Sequence, residues 1–128
     1  MTNNSDVDFM DLCNQLALGN KTAFEQIKRL AEEGNLEAQY HLSGCYYGDK
    51  FVKKDLMIAQ KWMLNAAEMG YPLAQHAIGQ NYADGSRGFE QNDELAVQWW
   101  QKAAKNGSVI SSIVLRTFAQ MGRGKTGG

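Results

Sequence analysis

The segment AQKWMLNAAEMG at residues 59–70 returns as AVQWWQKAAKNG at residues 96–107. Its first alanine, its tryptophan, its alanine pair and its final glycine all recur at a spacing of 37. Upstream, AEEG at residues 31–34 matches AEMG at residues 67–70 at a spacing of 36. A fixed spacing of this length is typical of stacked helical repeat units.

A second block repeats in the same phase. AQYHLSGCY at residues 38–46 matches AQHAIGQNY at residues 74–82 at a spacing of 36. In both blocks the apolar residues fall at three- and four-residue steps, which is the period of an α-helix. The chain has one proline, Pro72, so little interrupts helix formation. We therefore predict seven helices, at residues 6–18, 22–33, 35–47, 55–69, 72–84, 92–106 and 108–121.

Capping signals mark the predicted helix ends. Thr22 and Glu25 have the spacing of a capping box at the start of the second helix. N-caps are also predicted at Asp55, Asn92 and Ser108, and left-handed C-caps at Gly34, Gly70 and Gly107.

Consecutive helices with short connections form antiparallel hairpins, and hairpins of this kind stack side by side. The predicted fold class is all-α, a right-handed α-α superhelix that forms a short solenoid. We expect one domain over residues 1–121. Its predicted parts are a cap hairpin (1–37), two repeats (38–73 and 74–110) and a partial repeat (111–121), followed by a flexible Gly-rich tail (122–128).

The two blocks together read A-x-x-x-L-G-x-x-Y-x-x-G, a loop, then D-x-x-x-A-x-x-W-x-x-x-A-A-x-x-G. This pattern resembles the Sel1-like repeat (SLR) family, a relative of the tetratricopeptide repeats. Ser43 and Asn92 depart from the family's glycine and aspartate, and Arg116 and Ala119 stand where the last unit would have glycine and tyrosine. The resemblance implies a non-catalytic adaptor that binds a partner protein. An alternative that it also implies is a bacterial immunity protein that neutralises a toxin by direct binding.

Composition excludes several other classes. A net charge of −1 provides no electrostatic basis for binding nucleic acid or an anionic membrane. No stretch is long and apolar enough to span a bilayer, and the first residues lack the features of a secretory signal. Cys13 and Cys45 follow no metal-binding or redox spacing. These observations predict a cytoplasmic protein.

Candidate catalytic and metal-binding motifs are weak. Residues 119–126, AQMGRGKT, fit a loose phosphate-loop pattern, but a helix precedes them where a strand is needed. His41 and His76 have no further ligands at suitable spacing, so we predict no metal, no cofactor and no catalytic residues. A small hydrolase remains a less favoured alternative. Trp99 and Trp100 align with positions of the apolar stripe, which favours a place in the core over an exposed binding site.

The first helix of each hairpin is expected to line the concave face of the solenoid. First-helix positions that the Ala, Leu and Tyr anchors leave free should point into that groove, and Gly44, Leu73 and Ile113 are among them. The predicted partner-binding residues are Glu37, Tyr40, Tyr47, His76, Gln80, Asp84, Thr117 and Gln120. For Tyr40 and Tyr47 the alternative is packing against the next repeat.

Overall fold

The computed structural model describes residues 8–123, and within this range the chain forms seven α-helices and no strand. They are α1 (Phe9–Ala17), α2 (Lys21–Glu32), α3 (Leu36–Tyr47), α4 (Leu56–Glu68), α5 (Pro72–Asp84), α6 (Asp93–Lys105) and α7 (Val109–Gln120). The predicted helix bounds agree to within three residues. The start predicted at residue 6, and the predicted tail beyond residue 123, lie outside the described residues. The all-α solenoid is confirmed.

Side-chain caps mark six of the seven helix starts in the described range, all but that of α5, and one of them differs from the prediction. Asn20, not Thr22, caps α2, because its side-chain oxygen accepts hydrogen bonds from the backbone N–H groups of Thr22 (2.8 Å) and Ala23 (3.2 Å). Asn20 has the extended backbone that an N-cap needs, whereas Thr22 already lies inside the helix. The predicted capping box is therefore wrong. The predicted caps at Asp55, Asn92 and Ser108 are confirmed.

Three tight turns with the same geometry join the repeat units. Gly34, Gly70 and Gly107 have φ of +99°, +102° and +103°, a left-handed conformation that strains any residue with a Cβ. Beyond each glycine, the next backbone N–H bonds back to a carbonyl five residues earlier, as Tyr71 does to Ala66 at 3.0 Å. The predicted glycine C-caps are confirmed, and they turn the chain directly into the next helix.

Buried alanines form the contacts between helices. Two in α4 and two in α6, equivalent in the repeat, are fully buried: Ala59, Ala66, Ala96 and Ala103. Their small side chains let helix backbones approach closely, and larger residues such as Ile78 and Trp100 fill the space beside them. Trp100 is core as predicted, but Trp99 is only half-buried, since neighbouring residues on a helix point about 100° apart.

A glutamine on the first helix of each unit joins it to the helix before it. Gln39 Nε2 donates to the Ala31 carbonyl (3.1 Å), and its oxygen accepts from Asn65 Nδ2 (2.7 Å). In the next unit, Gln75 Nε2 donates to the Ala67 carbonyl (2.9 Å) and accepts from Asn106 Nδ2 (3.0 Å). Both glutamines are buried. Each therefore satisfies a carbonyl in the last turn of one helix and is itself satisfied by the helix that follows.

Removing this amide should weaken the solenoid. Gln75→Ala removes one of the hydrogen bonds to the Ala67 carbonyl and leaves the Asn106 amide without its acceptor, so we expect a loss of about 1–3 kcal/mol in the free energy of unfolding. Urea unfolding followed by circular dichroism measures it. Gln80→Ala is the control on the same helix, because Gln80 is exposed and should change stability by less than about 0.5 kcal/mol. Equal effects of the two substitutions would contradict the role assigned to Gln75.

The two repeats form the equivalent packing contact with different residue pairs. A Cβ added at Gly79 would meet two atoms of the Trp100 indole ring at 2.5 Å, so the tryptophan needs glycine opposite it. At the equivalent positions of the first unit, Ser43 takes the place of Gly79 and Met63 that of Trp100. A larger residue on one helix thus coincides with a slimmer one on the other. This compensation accounts for the departure at Ser43 from the family's glycine.

The compensation predicts non-additive stability effects. Gly79→Ser alone should cost about 1–3 kcal/mol by overpacking, and Trp100→Met alone should also destabilise by leaving a void. The double variant recreates the Ser43 and Met63 pair, so its cost should be at least about 1 kcal/mol less than the two single costs combined. Urea unfolding of all four proteins gives the coupling. Additive costs would show that the two positions are independent.

Candidate functional site

Residues of α1, α3 and α5 line one hollow. This N-terminal groove has a volume of about 430 Å³. From α1 and α3 it is lined by Cys13, Leu16, Ala17, Tyr40, His41, Gly44, Cys45 and Gly48. Phe51, Met63 and Ala77 complete its apolar walls, and Lys50 and Arg87 reach it from the two loops.

A smaller hollow of about 250 Å³ lies between α5 and α7. This C-terminal hollow brings together three predicted partner-binding residues, Gln80, Asp84 and Thr117. Gln80 Nε2 donates to the Asp84 carboxylate at 3.1 Å, so the two side chains hold each other. Ile113, which is 53% exposed, gives the hollow an apolar wall.

Arg123 closes the same hollow from the segment assigned to the tail. Its guanidinium donates to the Asp93 carboxylate at 2.9 Å and to the Ala83 carbonyl at 3.2 Å. The guanidinium also lies 4.3 Å from the centre of the Phe118 ring. The first residues beyond α7 are thus held against α5 and α6.

Tyr40 lines the N-terminal groove, whereas Glu37, about one turn before it on α3, is not among the lining residues. Tyr40 is half-buried, with its ring 5.4 Å from that of His41 and 5.7 Å from that of Tyr71. It therefore packs and lines the groove at once. The negative charge of Glu37 helps burial to raise the pKa of Cys13, and burial together with Glu37 raises the pKa of Tyr71 to about 12.

Tyr47 belongs to the packing between units. The Arg87 guanidinium lies over its ring at 4.5 Å, and its hydroxyl is buried with no well-formed hydrogen bond in the structure. Burial raises the pKa of Tyr47, while the charge of Arg87 and the nearby Ser43 hydroxyl oppose the rise. This is the packing alternative for Tyr47, and its part in recognition stays a prediction.

His76 also makes an internal contact. Its Nδ1 lies 2.8 Å from the Ser111 hydroxyl, which in turn lies 3.0 Å from the hydroxyl of Ser108. The imidazole therefore joins α5 to the start of α7, and burial lowers its pKa. Gln120, the last predicted residue, is exposed on α7 and lines neither hollow.

Lys50 and Arg87 are the groove residues that sequence reasoning missed, because the loops were treated only as joints. Lys50 Nζ donates to the Ala17 carbonyl at 2.9 Å, at the end of α1. A signal was present: Gly48 and Lys50 recur as Gly85 and Arg87 at the repeat spacing of 37. Each repeat thus places a cation three residues after the end of its first helix.

Cys13 and His41 are the pair in the groove that most resembles reactive chemistry. Cys13 Sγ lies 3.3 Å from His41 Nε2. Burial raises the pKa of the thiol and lowers that of the imidazole, so both groups are neutral near pH 7. Burial also raises the pKa of Cys45 to about 11. This pairing therefore lacks the thiolate that a cysteine nucleophile needs. Over residues 8–123, no three His, Cys, Asp or Glu side chains are grouped to hold a metal ion.

The repeats match an established family. The Sel1 repeat matches residues 36–71 and 72–108, which together are more than half of the chain. The chain belongs to the Sel1 repeat family. The matched units have the lengths of 36 and 37 residues that the spacings gave, and begin two residues before the predicted repeat starts. Sel1 repeats generally mediate protein–protein interactions.

Two solved structures resemble this Sel1 repeat chain. A Sel1 repeat protein from Oxalobacter formigenes is 31% identical with a TM-score of 0.72, over 78% of this chain and 74% of that one. The second, c5321, is a protective antigen of uropathogenic Escherichia coli with an SLR fold. It is 36% identical with a TM-score of 0.73, over 79% of this chain and 21% of that one.

One curated protein shares a shorter segment. The chitin synthase regulator SKT5 of Saccharomyces cerevisiae is 43% identical over 54 residues, which are 42% of this chain. The chain spans only 8% of that protein's length.

In the described part of the chain, no helix is long and apolar enough to cross a membrane.

The two histidines make a pH dependence of stability testable. Burial lowers the pKa of His41 and His76 below 6.5, so in acid the unfolded chain binds protons that the folded chain does not. The free energy of unfolding should therefore fall as the pH drops from about 7 to about 5.5. Urea unfolding measures this change. In His41→Gln/His76→Gln the free energy of unfolding should depend less steeply on pH than in the unmodified chain. An unchanged slope in that variant would contradict the assignment.

Proposed function

We propose that this Sel1 repeat chain is a non-catalytic adaptor that binds a partner protein on its concave face. The observation that carries the proposal is the N-terminal groove, where α1, α3 and α5 open a hollow of about 430 Å³ on one face. The C-terminal hollow continues the face onto α7 with Gln80, Asp84 and Thr117. Mixed aromatic, apolar and polar side chains of this kind suit protein recognition.

The predicted binding residues divide into two roles under this proposal. Gln80, Asp84, Thr117 and the groove side of Tyr40 are available to a partner. Tyr47 and His76 hold neighbouring units in place, so they would act on binding through the shape of the face. The two solved relatives and the curated relative are not described as immunity proteins. The immunity alternative therefore gains no support from them.

Two variants with the same charge change test the proposal. Gly44→Arg/Thr117→Arg adds two cations to exposed helix positions, one in each hollow. Gln98→Arg/Gln101→Arg adds two cations to exposed positions of α6, on the other side of the solenoid. A partner isolated with the unmodified chain should bind the first variant at least about tenfold more weakly, since bulky charges would block its contacts.

Isothermal titration calorimetry with that purified partner measures the change, and the α6 variant should bind as the unmodified chain does. Circular dichroism should show that both variants stay folded. If the α6 variant loses the partner and the first variant keeps it, the binding face is the convex one.

A further inference from the structure

Two cations reach the N-terminal groove without a carboxylate to neutralise them. Lys50 and Arg87 line the groove, and none of its lining residues is an aspartate or a glutamate. Arg123 forms an ion pair with Asp93 at 2.9 Å, whereas neither Lys50 nor Arg87 has a carboxylate of the described residues within 4 Å. Arg123 follows α7 as Lys50 follows α3 and Arg87 follows α5, but it has a carboxylate beside it. Lys50 and Arg87 are instead held by a carbonyl and by a tyrosine ring.

The floor of the same groove contains a glycine that packing does not require. Gly44 is exposed near the end of α3, and a Cβ added there would meet no atom within 4 Å. Gly79 differs, because the Trp100 ring occupies the space beside it. Glycine inside a helix is less favourable than alanine, so Gly44 weakens α3 without a compensating contact in the structure. Gly44 therefore leaves space in the groove for a side chain of a bound partner.

Charge is distributed unevenly along the groove. Glu37 lies in the first turn of α3, and its negative charge acts on both Cys13 and His41. Lys50 and Arg87 lie toward the other end of α3, beside Gly48. The distance along the helix from Glu37 to Gly48 is about 16 Å, which an extended segment of about five residues would span. An acidic residue is favoured at one end of such a segment and repelled at the other.

We propose that the N-terminal groove binds an acidic peptide segment of the partner protein, with an apolar side chain over Gly44 and a carboxylate at Lys50 and Arg87. This inference rests on the proposed function. It specifies that the N-terminal part of the concave face recognises the acidic and apolar side chains of the partner. A peptide suits the groove better than a nucleic acid does, because Leu16, Phe51 and Met63 give it apolar walls and the whole chain has a net charge of −1.

Short fluorescent peptides and the full chain test the charge rule. The acidic probe carries a leucine followed by two glutamates. A lysine probe replaces both glutamates. Fluorescence polarisation should show binding of the acidic probe and none of the lysine probe. Binding should weaken with added salt, because the cations lie at a solvent-accessible rim.

Variants in the loop after α3 and in the equivalent loop after α5 test whether binding depends on the two groove cations or only on the net charge of the chain. Lys50→Gln and Arg87→Gln should each lower affinity for the acidic probe about two- to fivefold. Lys53→Gln removes an exposed cation of the same loop that does not line the groove, so it should leave affinity unchanged. Equal losses in all three variants would reduce the effect to net charge and overturn the proposal.

Gly44→Ala gives an opposite effect on stability and on binding. The helix gains a better helix former at an open position, so the melting temperature should rise by about 3–6 °C. The same methyl group narrows the groove floor, so affinity for the acidic probe should fall about fivefold. If affinity holds while the melting temperature rises, no ligand side chain lies over Gly44.

The proposed function and this inference can fail separately. Failure of every probe to bind at millimolar concentration, or equal binding of the acidic and lysine probes, overturns the acidic-peptide inference. If the isolated partner is still lost by Gly44→Arg/Thr117→Arg, the concave face remains the binding face. Nuclear magnetic resonance shifts confined to α7 on adding the acidic probe would also overturn the inference, because they place the probe in the C-terminal hollow.

Discussion

The buried side-chain amides of Gln39 and Gln75 connect the end of one unit to the start of the next. Each donates to an alanine carbonyl near the end of the preceding helix, Ala31 or Ala67, and that carbonyl also accepts from the backbone of the nearby turn glycine. A carbonyl has two lone pairs, so both bonds are satisfied at once. Because the glutamine sits on the first helix of the next unit, this bond fixes how successive units are placed. The curvature of the solenoid depends on that placement.

The repeat is tolerant where the geometry allows more than one solution. Gln39 is completed by Asn65 from within α4, whereas Gln75 is completed by Asn106 from the end of α6. These two asparagines are not equivalent in the repeat, yet they bring the same amide to the same acceptor. At the next step Ser112 stands where a third glutamine would be, and α7 is held instead through His76 and Ser111. Successive units are thus joined at the same place in the repeat, although the residues that make the contact differ.

Local signals made the fold predictable, and contacts between units limited the prediction of the site. Glycine C-caps and apolar periodicity act within a few residues, so the helix bounds could be inferred closely. The cap of α2 failed because its position depends on where the turn after α1 ends, which Gly19 with φ of +87° decides. Tyr47 and His76 were selected because no anchor used them. Their actual partners, Arg87 and Ser111, come from the following unit and leave no local pattern.

The electrostatics of the groove follow from burial rather than from its titratable groups. His41 is neutral above its lowered pKa, and Cys13 and Cys45 are neutral below their raised ones. Near pH 7 these three side chains therefore carry no charge, and the potential in the groove is set by the lining cations Lys50 and Arg87, with Glu37 opposing them at the far end of α3. Recognition in the groove would therefore weaken as ionic strength rises, because Lys50 and Arg87 are exposed and salt screens the attraction between exposed charges.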